Sequence, residues 1–251
     1  MPSQHEVLRD ALLAILALGA ATVRSFTGFG IALAFVPLAS VIENAKSVVV
    51  VANLLNIGTT LPLLLDLRAG VRVREVSWLV VGFAVGAPVG AVLLRELSTG
   101  WIKIAVAVGV VVMAALVWAQ RERVRIRSSA GGALGVGAFS GLLRSTTGMG
   151  GPPVVFYLLG RGFRAEELRG TMVAYIVPSG IIGIASLAAA GQIHRSELTL
   201  AMLLAPFVAG GLLLGRRFRS FVSEAAFVKV VLGLLIASSL ASLGATVLAR
   251  L

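Results

Sequence analysis

The chain has 251 residues, of which 58% are hydrophobic and 13% charged, and its mean hydropathy is +0.98. A soluble domain carries about a quarter charged residues, so this composition excludes an ordinary soluble protein and predicts an all-α, polytopic membrane protein. The absence of cysteine excludes disulfides, thiolate catalysis and cysteine metal sites.

The first half of the chain begins with two apolar arms joined by the polar motif RSFTGFG, residues 24–30, whose last two residues also begin the second arm. The arms cover residues 7–23 and 29–42, and we predict a helical hairpin over 7–42 whose tip is the motif. Three apolar stretches follow, each close to the length of about 20 residues that crosses a bilayer. They predict transmembrane helices over 47–65, 76–94 and 101–119.

The second half repeats this order, since RSTTGMG at residues 144–150 matches RSFTGFG at five of seven positions. It interrupts a predicted hairpin over 131–159 that begins and ends beside basic connections. The two arms have 13 and 11 residues. They are therefore about 20 and 17 Å long against a hydrocarbon core of about 30 Å, and we expect them to enter and leave on one side. The helices predicted after this hairpin cover 171–190, 198–215 and 225–249.

Arginine clusters occupy four of the short connections between apolar runs, which is typical of cytoplasmic loops. We therefore interpret the net charge of +11 as a topology signal and expect no nucleic-acid partner. Each half then has a hairpin and three crossings, so the second half is inverted. The sequence predicts two inverted-topology repeats, 1–127 and 128–251, with half-helices meeting at the midplane and both termini outside, a pattern of secondary transporters. The clusters are Arg68/Arg72/Arg74, Arg121/Arg123/Arg125/Arg127, Arg161/Arg164/Arg169 and Arg216/Arg217/Arg219.

The two hairpin tips predict a binding site for a small anion. The second arm begins at each tip, so its free N–H groups and positive dipole end point to the membrane centre. Glycines let the backbone approach a ligand, hydroxyls donate hydrogen bonds, and a guanidinium binds an oxyanion through two parallel bonds. The candidate substrate-binding residues are Arg24, Ser25, Thr27, Gly28, Gly30, Arg144, Ser145, Thr146, Thr147, Gly148, Gly150 and Gly151.

The partners of the two motif arginines are left open by the sequence. All acidic residues lie at the ends of predicted spans or in loops, so the available partners are carbonyl groups of the first arm, water or a bound anion. In the alternative interpretation, Arg24 and Arg144 only cap the first arms. Asn53, Asn56 and Tyr175 are possible secondary substrate contacts, although such residues more commonly hydrogen-bond other helices. The predicted span interiors hold no His, Asp, Glu or Cys, so we expect no enzyme, metal site or cofactor.

Two segments, TGFGIALAFVPL at 27–38 and TGMGGPPVVFYLL at 147–159, resemble the glycine-rich signatures of the TauE/SafE family of bacterial membrane transporters. The resemblance covers essentially the whole chain and implies a multi-pass protein of the cytoplasmic membrane that moves sulfite, organosulfonates or related small anions. The expected function is export of such an anion by alternating access between the tips. An anion channel, or an importer of another small organic anion, is the alternative. Expected partners are the anion, the bilayer and, as an open question, further copies in a homo-oligomer.

Overall fold

The computed structural model describes residues 4–27, 31–60, 71–119, 126 and 129–218. These residues form α-helices and no strand, which confirms the all-helical prediction for this part of the chain. Three segments are long and apolar enough to cross a membrane: Val73–Glu96, Gly170–Ala189 and Arg195–Arg217. The helix predicted over 225–249 lies outside the described residues. In chain order the helices are α1 Gln4–Thr27, α2 Ala32–Ala39, α3 Ala45–Thr60, α4 Val73–Glu96, α5 Thr99–Ala119, α6 Ala130–Thr147, α7 Gly151–Gly160, α8 Ala165–Ala189 and α9 Arg195–Phe218.

Each hairpin consists of a long first helix, α1 or α6, and a short second helix, α2 or α7. The first arms were predicted to end at residues 23 and 143, but α1 continues to Thr27 and α6 to Thr147. At 1.5 Å per residue α1 is about 36 Å and α6 about 27 Å long, so the predicted half-helix lengths of these arms are too short. The second arms, α2 and α7, are short, with 8 and 10 residues.

The hydroxyls of the second motif explain why α6 continues through it. Thr146 and Thr147 each donate to the carbonyl oxygen four residues earlier, at 2.7 Å, so their side chains are satisfied within the helix. The helix ends at Gly148, whose φ of 79° is the left-handed conformation that favours glycine. The predicted arms are separated by residues 144–148, whereas the helices of this hairpin are separated by residues 148–150.

The most extensive helix packing joins α4 to α6 and α9 to α1. On α4, Gly86 faces the α6 backbone so closely that a Cβ built on it would lie 2.9 Å from the Cα of Ala138. On α9, a Cβ built on Gly211 would lie 2.9 Å from the Cβ of Ala21. Small residues therefore bring these helix pairs together, as is common in membranes. A Cβ built on the adjacent Gly210 would have no atom within 4 Å, so Gly211 and not Gly210 makes the contact.

Alanine substitution at these glycines is expected to have opposite effects. Gly86→Ala forces a methyl group into the α6 backbone and should destabilise the protein by about 1–3 kcal/mol. Gly210→Ala meets open space and should be neutral or stabilise by up to about 1 kcal/mol, because glycine is a poor helix former. Thermal unfolding of the purified variants in detergent measures both. Equal losses for the two variants would contradict close α4–α6 packing as the cause.

The open ends of the two hairpins lie at opposite ends of α4. At its start, Glu75 pairs with Arg161, the residue that follows α7. At its far end, the carbonyl oxygen of Arg95 accepts a hydrogen bond from Lys46 Nζ at 2.8 Å, and Lys46 is in the first turn of α3, just after the first hairpin. Contacts near the two hairpins are therefore found at opposite ends of α4.

Candidate functional site

The two motif arginines are joined through one face of α3. Arg24 and Arg144 are buried, with 8% and 7% of their surfaces exposed. Arg24 Nη1 donates to Asn56 Oδ1 at 2.5 Å, and Arg144 Nε donates to Asn53 Oδ1 at 3.2 Å. Asn53 and Asn56 are three residues apart, so they lie on the same side of the helix. The structure therefore brings together four of the predicted site residues.

Each asparagine also contacts backbone groups of the hairpins. Asn56 Oδ1 accepts a second hydrogen bond, from the backbone N–H of Ile31 at the start of α2, at 3.3 Å. Asn53 Nδ2 donates to the carbonyl oxygen of Arg144 at 3.2 Å. That carbonyl also accepts from the N–H of Gly148 at 2.8 Å. The end of α6 is thus capped by residues other than Arg144, which differs from the alternative in which this arginine is the cap.

The electrostatic character of this region is strongly positive. Two guanidinium groups lie in this region, and both are buried. Among the described residues, Arg144 forms no ion pair, and its side-chain acceptor is the neutral amide of Asn53. A buried cation without a carboxylate is costly, and a bound anion would offset much of that cost.

Glycines give the Arg144 guanidinium its space and bring the tips together. A Cβ built on Gly180 of α8 would lie 3.4 Å from Arg144 Nη2. A Cβ built on Gly148 would lie 2.8 Å from the Cβ of Ala32, the first residue of α2, so the second tip touches the beginning of the second arm of the first hairpin. The end of the second motif therefore packs against the start of α2.

The beginning of α7 offers backbone donors beside this region. Pro152 and Pro153 have no N–H, so the donors at this end are the N–H groups of Gly150 and Gly151. A Cβ built on Gly151 meets no atom within 4 Å, whereas one on Gly150 would lie 2.6 Å from the Cβ of Arg144. Gly150 is thus required for close packing, and Gly151 faces open space.

Three of the hydroxyl groups predicted to contact substrate donate instead to backbone carbonyl groups. Ser25 Oγ donates to the carbonyl oxygen of Leu212 on α9 at 3.0 Å, and Thr146 and Thr147 bond carbonyl groups of α6. Ser145 differs: its Oγ is buried and, within the described part of the chain, has no hydrogen-bond partner. Ser145 therefore keeps an unused donor. Gly28, Gly30 and the side chain of Thr27 lie outside the described residues.

Ser140 is a site residue that the sequence reasoning missed. Its Oγ donates to the carbonyl oxygen of Gly150 at 2.5 Å and lies 2.7 Å from the hydroxyl of Tyr175 on α8. Ser140 thereby fixes the second tip and links it to Tyr175, which was predicted as a possible substrate contact. The available signal was its position, since Ser140 is one helical turn before Arg144 and is the only polar side chain in the arm over 131–143.

Both ends of the helix bundle are tied by carboxylates outside the arginine region. Glu75 Oε1 lies 2.7 Å from Arg161 Nη1 and accepts from the Tyr157 hydroxyl at 2.7 Å. At the other end the buried Glu197 of α9 accepts from Ser47 Oγ of α3 at 2.9 Å. Cavities of about 430 and 370 Å³ lie at these two ends, and no motif residue lines either of them.

Comparison with known proteins identifies the family. The sulfite exporter TauE/SafE family matches residues 13–242. The chain is 30% identical over 201 residues to the probable inner membrane transporter protein TsaS of Comamonas testosteroni, a match that covers 73% of this chain and 81% of that protein. It is 30% identical over 100 residues to the probable sulfite/organosulfonate exporter TauE of Cupriavidus necator, covering 40% of this chain and 39% of that protein. No solved structure matches the chain. The chain belongs to the sulfite exporter TauE/SafE family.

Proposed function

We propose that this protein exports a small sulfur-containing anion, sulfite or an organosulfonate, across the bacterial inner membrane through a site between the two hairpin tips. The observation that carries the proposal is the pair of buried arginines, Arg24 and Arg144, which have neutral asparagine acceptors at the meeting point of the hairpins. A guanidinium binds an oxyanion strongly through charge-assisted hydrogen bonds. The family description and the name of the Cupriavidus necator relative, a probable sulfite/organosulfonate exporter, support the substrate class.

Alternating access between two inverted repeats is the proposed mechanism. The packing between the two halves supports this mechanism. Helix α4 of the first half packs on α6 of the second half, and α9 of the second half packs on α1 of the first half. In these pairs Gly90 approaches Ser145, and Gly215 approaches Ser25, which are matching positions of the two motifs. In the proposed cycle, the state with buried arginines and both ends tied is taken as closed on both sides. Opening then requires separation of the Glu75 contacts at one end or the Glu197 contacts at the other.

The membrane potential provides a driving force for export. With the cytoplasm negative, an anion that leaves gains about 2.3 kcal/mol per charge per 100 mV. Among the described residues, no carboxylate pairs with Arg144. Potential-assisted efflux therefore needs no proton or sodium relay at the site.

Efflux from proteoliposomes is expected to depend on the potential and to saturate. Vesicles loaded with sulfite or sulfoacetate should release it several-fold faster under an inside-negative potassium diffusion potential than at zero potential. Protein-free vesicles and vesicles with Arg144→Ala serve as controls. A release rate that does not change with the membrane potential would contradict electrogenic export. A release rate that rises linearly with anion concentration would favour the channel alternative.

A further inference from the structure

We propose that Asn53 and Asn56 are placeholders for the substrate: they hold the two arginines in the unliganded protein and are displaced when the anion binds. This inference rests on the proposed function, in that the hairpin tips bind an oxyanion. It assigns the asparagines a positioning role that ends on binding, rather than the role of additional ligands.

The side-chain oxygen of Asn56 accepts hydrogen bonds from two donors of the first hairpin that could also bind an anion. Its Oδ1 accepts from the guanidinium of Arg24 at 2.5 Å and from the N–H of Ile31 at 3.3 Å. A guanidinium and a backbone N–H at the start of a helix are the two donors that typically bind one oxygen of an oxyanion. The amide oxygen therefore stands where a substrate oxygen would make the same two hydrogen bonds.

Asn53 plays the same part toward the second tip. Its Oδ1 accepts from Arg144 Nε at 3.2 Å, and its Nδ2 donates to Val49 O at 3.0 Å and to the carbonyl oxygen of residue 144 at 3.2 Å. The donor side of the amide can keep its partners while the acceptor side is exchanged for an anion. Release of Arg144 by Asn53 therefore does not require α3 to lose its contact with α6.

The difference between a neutral and an ionised acceptor makes the exchange favourable. The amide acceptors of the two guanidinium groups are neutral, whereas an anion brings an ionised acceptor and a negative charge that offsets buried positive charge. Each amide accepts one hydrogen bond from a guanidinium group and so reduces the cost of burying that group. They thus stabilise the unliganded protein without competing as strongly as a carboxylate would.

The exchange has a mechanical consequence for α3. Helix α3 is hydrogen-bonded to Arg24 of the first hairpin and to Arg144 of the second. It also packs on α8 and α9 of the second half. An anion that takes over the arginines removes two of the polar links between α3 and the tips. Binding is thereby coupled to the position of α3 relative to the hairpins.

Opposite substitutions at Asn56 test the proposal. Asn56→Asp puts a tethered carboxylate beside Arg24 and should weaken the apparent affinity for sulfite about tenfold or more. Asn56→Ala removes the internal competitor and should strengthen that affinity several-fold while it lowers the melting temperature without sulfite. The measurement is a sulfite titration of thermal stability at constant ionic strength, in detergent. Asn56→Leu, which keeps more of the volume, replaces the alanine variant if the latter does not fold.

The control is Asn44→Asp, which adds the same charge at an exposed position before α3 and should leave the titration unchanged. If both Asn56 variants weaken binding, asparagine is a direct ligand and the proposal is wrong. If neither changes it, the Arg24–Asn56 bond is structural only, and the proposal is equally wrong. Wild-type protein that shows no sulfite-dependent stabilisation would refute the proposed function itself, which separates the two failures.

Discussion

Replacing Arg144 with alanine is expected to weaken sulfite binding by more than about a hundredfold and to leave a folded protein. A hydrogen bond to a charged group contributes about 1.5–3 kcal/mol, and a guanidinium that binds an oxyanion through two of them loses both. Each 1.4 kcal/mol corresponds to a factor of ten in affinity. The sulfite-dependent shift of the melting temperature should therefore vanish over the accessible concentration range.

The fold should survive this substitution because few structural contacts depend on the side chain. Asn53 Nδ2 bonds the backbone carbonyl of residue 144, which alanine retains, and Gly148 caps the same carbonyl. Removal of the guanidinium also removes the desolvation penalty of a buried cation. The unliganded melting temperature should consequently change by only a few degrees, whereas Asn53 Oδ1 loses one donor.

Three further variants make the Arg144 result interpretable. Arg216→Ala removes an exposed arginine at the end of α9 and should leave sulfite binding intact. Arg144→Lys keeps the charge without the planar fork and should recover only part of the affinity. If binding survives both Arg24→Ala and Arg144→Ala, the arginines only stabilise the hairpin ends, and the proposed site is wrong.

Hydropathy was sufficient to predict the helical nature of the chain and the approximate position of most described helices. Within a bilayer the backbone must satisfy its own hydrogen bonds, so a long apolar run has little alternative to a helix. The stretch predicted over 76–94 is part of α4, and that over 198–215 is part of α9. The motif arginines were expected at the ends of the first arms, and both lie in the last turn of α1 or α6.

The hairpin boundaries were less predictable because polar residues do not by themselves end a membrane helix. Hydroxyl side chains such as Thr146 and Thr147 bond the carbonyl groups of the preceding turn and continue the helix. The face of a helix that contacts its neighbour is also difficult to predict to the residue. One residue rotates a side chain by about 100° around the helix axis, which is why Gly211 packs on α1 while the adjacent Gly210 faces open space.

The pairing of arginine with asparagine required knowledge of how the helices are arranged. Asn53 and Asn56 were visible as polar residues in an apolar stretch, but the sequence does not reveal which neighbour their common face meets. Carbonyl groups, water and an anion were the partners considered for Arg24 and Arg144, and amides of a third helix were not among them. The contacts of α3 with both tips provide that missing acceptor.

Replacing Glu75 with glutamine is expected to destabilise the closed bundle and to accelerate transport. The Glu75 and Arg161 side chains are only 13% and 10% exposed, and they join the start of α4 to the end of α7. Loss of one partner from a buried pair costs about 3–5 kcal/mol. Glutamine can still accept from Tyr157, so a loss of about 2–3 kcal/mol in the free energy of unfolding is expected.

An exposed pair provides the matched control for this charge change. Arg95 and Glu96 are both 59% exposed, so Glu96→Gln should cost less than about 1 kcal/mol and leave efflux unchanged. In the Arg161→Gln background, Glu75→Gln should cost much less than it does alone, because the partner is already absent. Equal effects of Glu75→Gln in both backgrounds would mean that the carboxylate acts through surface charge. A non-additive result together with faster efflux would instead indicate that the Glu75–Arg161 contact breaks during transport, because weakening a contact that must break before or in the rate-limiting step lowers the barrier to efflux.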